Sequence, residues 1–199
     1  MMKKFLVLGV VLALSSSAMA GLVGLEIVDP LASYEASTTI TIEVVASEFG
    51  TDFPGDSIGF LDIASISSDG GGETEPQYGT ASSPSLNSVL QLGVGVSAGD
   101  IVNSGGILIE DIRGYIEQGE LTGVSPFPAV LYSFEFHVPD LPASTIITFT
   151  VDGLAIKNLG YNDPVPGYTG PGALEIHVIP EPITIALLGL GGLFLRRRR

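Results

Sequence analysis

The sequence predicts an all-β body, a sandwich of two antiparallel sheets with about eight to nine strands. Three observations predict it. Short segments rich in β-branched and aromatic residues recur along the chain, glycine and proline fill the gaps between them, and the body carries no helical periodicity. A sheet with one apolar face must bury that face against another layer, which favours two packed sheets. A closed barrel is the main alternative.

The predicted strands differ in how clearly their patterns identify them. Residues 130–138 are the clearest, because aromatic and polar residues alternate along them. Residues 38–46 alternate in the same way, and residues 57–66 are apolar on both faces, which predicts a central strand. The other predicted strands are residues 22–28, 88–96, 107–116, 145–156 and 173–179. Residues 69–84 and 160–172, rich in glycine and proline, are predicted to be loops.

A cleaved signal peptide is predicted for residues 1–20. Two lysines precede an apolar run of about ten residues, which is too short to span a bilayer as a mature helix. Ala18 and Ala20 then form the A-x-A pattern that signal peptidase recognises, so the mature chain is expected to begin at Gly21. An N-terminal anchor helix is the alternative.

The part of the chain between the two ends is strongly acidic. All 22 acidic residues lie between Glu26 and Glu181, but only Arg113 and Lys157 are basic there, which gives this part a formal charge of −20. Such a charge excludes nucleic acid and an anionic membrane surface as partners. The chain has no cysteine, which excludes disulfides and thiolate chemistry.

The C-terminal stretch has three parts in a fixed order. Pro180-Glu181-Pro182 comes first, with Thr184 two residues on. Residues 183–195 are then apolar or small, and as a helix they would be about 20 Å long, which is marginal for crossing a membrane. Four arginines follow, and the positive-inside rule keeps them cytoplasmic; they are Arg196, Arg197, Arg198 and Arg199.

This order resembles the PEP-CTERM sorting signal of Gram-negative bacteria. The resemblance implies recognition by exosortase, a membrane-embedded transpeptidase, followed by removal of the tail. The protein would then be exported to the cell surface or the extracellular space, with only transient insertion of its C-terminal hydrophobic helix in the inner membrane. A plain stop-transfer anchor is the alternative, although it does not need Pro-Glu-Pro. The expected domains are a signal peptide (1–20), a sandwich (21–179) and a sorting signal (180–199).

The body resembles the cohesin-like β-sandwich, which is related in architecture to some carbohydrate-binding modules. The resemblance lies in the pattern of four segments: ITIEV at residues 40–44, IGFLDI at 58–63, VLYSFEFHV at 130–138 and IITF at 146–149. It implies nine strands in a flattened jelly roll. It carries no binding residues over to this chain, because no contact motif of the family can be matched here.

Two histidines occur in similar settings, Glu135-Phe136-His137 and Glu175-Ile176-His177. Residues two apart on a strand share a face, so each pair could offer an imidazole and a carboxylate to zinc. In the cohesin-like arrangement the two strands share a sheet with two strands between them, about 14 Å apart, which is too far for one metal ion. Two solvent-facing strand positions are therefore the simpler interpretation.

Catalysis is not indicated by any spacing in the sequence. Glycosidases need two carboxyl groups at a defined separation, and no two of the 22 acidic residues stand out as a pair. No nucleophile elbow supports a Ser–His–Asp arrangement. We therefore predict that the chain is not an enzyme.

Two weaker candidate sites lie in predicted loops. Asp69, Glu73 and Glu75 surround three glycines, as oxygen ligands do in weak calcium sites, although the spacing of a defined calcium loop is missing. A solvated acidic loop is the simpler interpretation, and structural calcium is the only cofactor considered. Exposed aromatic rings form sugar-binding platforms, and the candidates here are Tyr78, Tyr161 and Tyr168.

The sequence thus predicts an exported, non-catalytic surface or matrix protein for adhesion or protein interaction. Its expected partners are signal peptidase, exosortase and another surface protein. The alternative function is a carbohydrate-binding module for extracellular polysaccharide.

Overall fold

A computed structural model describes residues 22–48, 57–69, 79–103, 106–116, 122–140, 145–158 and 172–179. Within these residues the chain forms eleven strands and one short 3-10 helix. The strands are β1 (Leu22–Ile27), β2 (Tyr34–Glu35), β3 (Thr39–Glu48), β4 (Ile58–Asp69), β5 (Thr80–Leu86), β6 (Ser97–Asn103), β7 (Ile107–Tyr115), β8 (Ala129–His137), β9 (Thr145–Asp152), β10 (Ala155–Asn158) and β11 (Leu174–Ile179). The all-β sandwich predicted from the sequence is confirmed, with more strands than expected.

The strands form two sheets. The four-stranded sheet has the order β1-β3-β8-β5, and the seven-stranded sheet has the order β2-β11-β9-β4-β7-β6, with β10 also paired to β4. The pairings are antiparallel except for that of β2 with β11, which is parallel. As predicted, β4 is central, since it pairs with β7 on one side and with β9 and β10 on the other.

The core lies between the two sheets and depends on the alternation in β8. Phe134 and Phe136 are fully buried, as predicted. Glu135, which lies between them, and His137, which follows them, are exposed. Both rings meet Phe149 of β9 in the opposite sheet, with centroid distances of 5.8 and 5.1 Å. Aromatic contacts of this kind add to the area that the side chains bury.

Side chains also join the two sheets where β5 and β6 form their edges. The amide of Asn103 bonds both backbone groups of Ala81, accepting from its N–H at 2.9 Å and donating to its carbonyl at 3.1 Å. Tyr132 donates its hydroxyl to the carbonyl of Ala98 at 2.9 Å, and burial raises the pKa of this hydroxyl. These bonds satisfy backbone groups that an open edge would leave to pair with another chain.

The prediction of a strand at residues 88–96 is wrong. The structure has a 3-10 helix there, Ser88–Gln91, followed by a turn. The side chain of Asn87 accepts a hydrogen bond from Val89 N–H at 3.0 Å and so caps the helix, while Leu90 is buried beneath it. The capping asparagine competes with strand formation, which the apolar residues alone did not reveal.

Other elements also differ from the prediction. The loop predicted at residues 69–84 contains most of β5, because an edge strand can hold Pro84 where its pairing with β8 shifts register. The strand predicted at residues 145–156 is divided into β9 and β10 around Gly153, whose φ is 63°. Strand β2, which has only two residues, and strand β6 were not predicted.

Two carboxylates face each other on the four-stranded sheet, because Glu26 of β1 pairs directly with Glu43 of β3. Burial, and then the charge of Glu26, raise the pKa of Glu43 above its ordinary value of 4.5. A carboxyl group whose pKa is higher in the folded state lowers the free energy of unfolding as the pH rises above its pKa in the unfolded state. At lower pH the carboxyl group is protonated in both states, and this loss of stability disappears.

Glu43→Gln is therefore expected to raise the free energy of unfolding at neutral pH by about 0.5 kcal/mol. The gain should vanish near pH 4, where the wild-type carboxyl is itself largely protonated. Urea unfolding at both pH values measures it. Glu135→Gln is the control, because Glu135 accepts hydrogen bonds from Ser82 and Ser83 and should not stabilise when changed. A gain for Glu43→Gln that is equal at both pH values would contradict the expectation.

Candidate functional site

The two basic side chains of the body lie on one face of the seven-stranded sheet. Lys157 of β10 and Tyr115 of β7 are the partners of Phe60 on either side of β4. Arg113 of β7 is the partner of Asp62, two residues further along β4. Positions two apart on a strand share a face, so these five residues form one patch, which we name the cation–aromatic cluster. It faces outward, because the intervening Leu61 belongs to the core.

The aromatic part of the cluster is closely packed. The ammonium of Lys157 lies 5.0 Å from the centroid of the Phe60 ring. The ring of Tyr115 meets Phe60 from the other side at 5.0 Å in an edge-on arrangement. Phe60 is buried between them, while Tyr115 and Lys157 remain partly exposed. Both types of contact stabilise the arrangement and fix the positions of the exposed groups.

Arg113 keeps hydrogen-bonding capacity that the fold does not use. Its Nε lies 3.7 Å from Asp62 Oδ1, and its Nη2 lies 3.2 Å from Asp111 Oδ1. The side chain is 40% exposed, but its Nε is itself buried and makes no hydrogen bond among the described residues. A guanidinium has five N–H donors, so the donors other than Nε can still bind a carboxylate or carbonyl group of a partner.

Exposed apolar side chains lie in a turn that contacts β7 at Tyr115. The turn after the 3-10 helix rests on β7, since Gly93 donates its N–H to the carbonyl of Tyr115 at 2.9 Å. Leu92 and Val94 of this turn are exposed, Val94 by 99%. We name residues 92–95 the apolar turn. Apolar groups beside aromatic rings, with charged groups at the margin, are typical of protein-binding surfaces.

The two histidines lie in different sheets, which corrects the prediction that their strands share one. His137 belongs to β8 of the four-stranded sheet and His177 to β11 of the seven-stranded sheet. Nδ1 of His137 lies 3.3 Å from Oγ1 of Thr39, and Nε2 of His177 lies 4.0 Å from Glu175 Oε2. In the part of the chain that the structure describes, no three His, Asp or Glu side chains are grouped to hold a metal ion.

Most other residues singled out in the sequence are not in the described ranges. Asp69 is the last residue of β4, while the other calcium candidates and all the sugar candidates lie outside the described residues. Those outside are Glu73, Glu75, Tyr78, Tyr161 and Tyr168, together with the signal residues Ala18, Ala20 and Gly21 and the tail residues Pro180, Glu181, Pro182, Thr184 and Arg196 to Arg199. All of these stay predictions. Among the described residues, no helix is long and apolar enough to cross a membrane.

Comparison with protein families identifies the C-terminal stretch. Residues 178–199 match the family model of the PEP-CTERM protein-sorting motif. This stretch is a PEP-CTERM sorting motif. Such a motif implies export with processing by exosortase. Its first two residues, Val178 and Ile179, are also the last two of β11, so the PEP-CTERM motif begins inside the folded sandwich.

Solved structures confirm the cohesin-like sandwich. The cohesin–dockerin complex of type I from Clostridium thermocellum is 9% identical, with 83% of this chain and 98% of that chain covered and a TM-score of 0.55. The third ScaC cohesin of Acetivibrio cellulolyticus, in complex with the ScaB dockerin, is 13% identical, with coverage of 79% and 98% and a TM-score of 0.54. At these identities the likeness shows the fold. No curated protein matches the chain.

The cation–aromatic cluster was not predicted from the sequence. Its one visible signal was that Arg113 and Lys157 are the sole cations of a body with 22 acids. They are far apart in the sequence, and only the pairing of β7 and β10 with opposite sides of β4 brings them together.

Proposed function

We propose that this chain is an exported surface or matrix protein whose sandwich binds another protein and catalyses no reaction. The cation–aromatic cluster is the observation that carries the proposal. Its partly exposed Tyr115, Arg113 and Lys157 are of the residue types that dominate or steer binding at protein interfaces. The cohesin structures were solved with dockerin proteins bound, which supports an interaction role for a sandwich of this fold.

The proposed route follows from the two ends. Signal peptidase removes residues 1–20, and residues 21–179 fold outside the inner membrane of a Gram-negative-type cell. Residues 180–199 hold the chain there until exosortase removes the tail. The PEP-CTERM motif supports this route.

The chemistry of the patch defines the partner it fits. A body with a formal charge of −20 repels a partner that is acidic over its whole surface. Locally, the donors of Arg113 and the ammonium of Lys157 favour a carboxylate or backbone carbonyl group, and the apolar turn favours an aliphatic side chain next to it. A partner with a neutral or basic surface and an acidic group beside an apolar residue meets both conditions.

A comparison of variants tests the proposal. The full-length chain is immobilised and exposed to the extracellular proteins of the same bacterium, and bound proteins are quantified by mass spectrometry. A specific partner should be retained at least about tenfold less by Tyr115→Ala and by Lys157→Gln. Truncating a residue at the centre of an interface is expected to lower the binding free energy by more than about 1.4 kcal/mol. Glu135→Gln, on the opposite sheet, is the matched control and should retain it fully.

Two outcomes would contradict this function. Retention that is unchanged in both variants would mean that the cluster is not the binding surface. Binding to a polysaccharide panel that is lost in Tyr161→Ala or Tyr168→Ala, with no protein retained, would instead establish the carbohydrate-binding function.

A further inference from the structure

The two cations of the cation–aromatic cluster have different electrostatic surroundings. Arg113 lies between two carboxylates, since its Nε is 3.7 Å from Asp62 Oδ1 and its Nη2 is 3.2 Å from Asp111 Oδ1. One positive charge therefore faces two negative charges, which gives this side of the cluster a formal charge of −1. Lys157 forms no ion pair with any described residue, and its ammonium lies over the ring of Phe60.

The backbone of β7 fixes the position of the Asp111 carboxylate. The pairings of β7 with β4 and with β6 both include Ile112 and Glu110 but omit Asp111 between them. The φ of Asp111 is 57°, a left-handed conformation that aspartate adopts more readily than most other L-residues. Glu110 and Asp111 are both exposed, and of the two Asp111 forms the ion pair with Arg113. The contact therefore depends on a local feature of the backbone.

These surroundings give the two cations different preferences. A carboxylate that approaches Arg113 is repelled by Asp62 and Asp111, whereas a neutral carbonyl oxygen can accept from the guanidinium donors other than Nε without this repulsion. Lys157 carries a compact charge with three rotatable donors. It favours a carboxylate, because no acidic side chain among the described residues pairs with it.

Strand pairing sets the distance between the two cations. Lys157 of β10 and Arg113 of β7 lie on opposite sides of β4, where they pair with Phe60 and Asp62. Two strand spacings across the sheet and two residues along it put their Cα atoms about 12 Å apart. A partner that contacts both must present its two groups over a similar distance.

We propose that Lys157 binds an acidic side chain of the protein partner, while Arg113 binds a neutral backbone carbonyl of the same partner. Asp111 and Asp62 position the guanidinium and keep carboxylates away from it. The inference rests on the proposed function and deepens it, because it assigns a chemical group of the partner to each cation. Its chemistry can be tested without the partner, so the two can fail separately.

Two small probes test this selectivity on the full-length chain in detergent. Sodium acetate supplies a carboxylate and N-methylacetamide a neutral carbonyl. The side-chain NMR signals of Lys157 and Arg113 are followed at constant ionic strength, each relative to the free amino acid, and Lys157→Gln and Arg113→Gln assign them. Acetate should shift the Lys157 signals at least about threefold more than the Arg113 signals, and N-methylacetamide should do the reverse.

Asp111→Asn tests the role of the carboxylate. Asparagine also adopts the left-handed conformation and keeps an acceptor for Nη2, but it removes one repelling charge. Acetate should then shift the Arg113 signals at least about threefold more than in the wild type. Glu110→Gln is the matched control, since it removes the same charge from the neighbouring residue and should leave that shift unchanged.

Retention of the protein partner gives a second measurement. Lys157→Arg restores the charge that Lys157→Gln removes, and it should restore retention to within about threefold of the wild type. Arg113→Lys restores the charge that Arg113→Gln removes but not the planar array of donors. It should retain at least about tenfold less than the wild type.

An equal effect of acetate on both cations of the wild type would overturn the proposal, as would an Asp111→Asn variant that responds like Glu110→Gln. Rescue by both charge-preserving substitutions would overturn it as well, because charge alone would then be recognised at each position. If the wild type retains no protein, the proposed function fails, while the two probe titrations still show whether the cations differ.

Discussion

Replacing Phe149 with alanine is expected to lower the free energy of unfolding by about 3–5 kcal/mol. Phe149 is fully buried, and its ring meets Phe134 at 5.8 Å and Phe136 at 5.1 Å. These contacts join β9 of the seven-stranded sheet to β8 of the four-stranded sheet. The substitution therefore loses transfer free energy and opens a cavity between the sheets, which the surrounding strands can fill only in part.

Urea unfolding followed by circular dichroism measures this loss. Ile146→Ala is the control, because Ile146 lies on the same strand but is exposed. It should change the free energy of unfolding by less than about 0.5 kcal/mol. Similar values for the two variants would contradict the packing of the sheets described here.

Replacing Gly79 with alanine is expected to cost about 3 kcal/mol, the sum of two effects. The φ of Gly79 is 87°, a left-handed conformation that costs an L-residue about 1–2 kcal/mol. In addition, a Cβ atom there would overlap the carbonyl oxygen of His137 and the ring of Phe136. Overpacking of this kind costs about 1–3 kcal/mol more, since the backbone of β8 cannot move away.

Gly95→Ala separates the two effects. Gly95 has a φ of 82°, but a Cβ atom there would have no neighbour within 4 Å. It should cost only the conformational part, about 1–2 kcal/mol. Thermal or urea unfolding of both variants measures the difference. If Gly79→Ala lowered the free energy of unfolding no more than Gly95→Ala, this result would contradict the close approach of Gly79 to β8.

Strands with strict alternation were predictable from the sequence because burial on one face leaves a period of two. In β8 the buried Phe134 and Phe136 alternate with exposed Glu135 and His137, and the sequence shows it directly. The run at residues 88–96 is equally apolar, but its conformation depends on the side chain of Asn87, which bonds its own backbone. Local hydrogen bonding of this kind leaves no periodic signal.

The candidate site could not be predicted because it depends on strand register. The five residues of the cation–aromatic cluster come from β4, β7 and β10, and any one-residue slip of a strand would place its members on the core face. Composition showed that Arg113 and Lys157 are unusual in this body but not that they are neighbours. The tail was predictable for the opposite reason, since its order of residues is contiguous in the sequence.

Mass spectrometry of the native protein tests the exported and processed state most directly. A mature chain that begins at Gly21 and ends near Pro182 is the expected result, because signal peptidase and exosortase would then both have acted. A membrane-bound form that still carries Arg199 would contradict exosortase processing and leave the C-terminal stretch as a plain anchor.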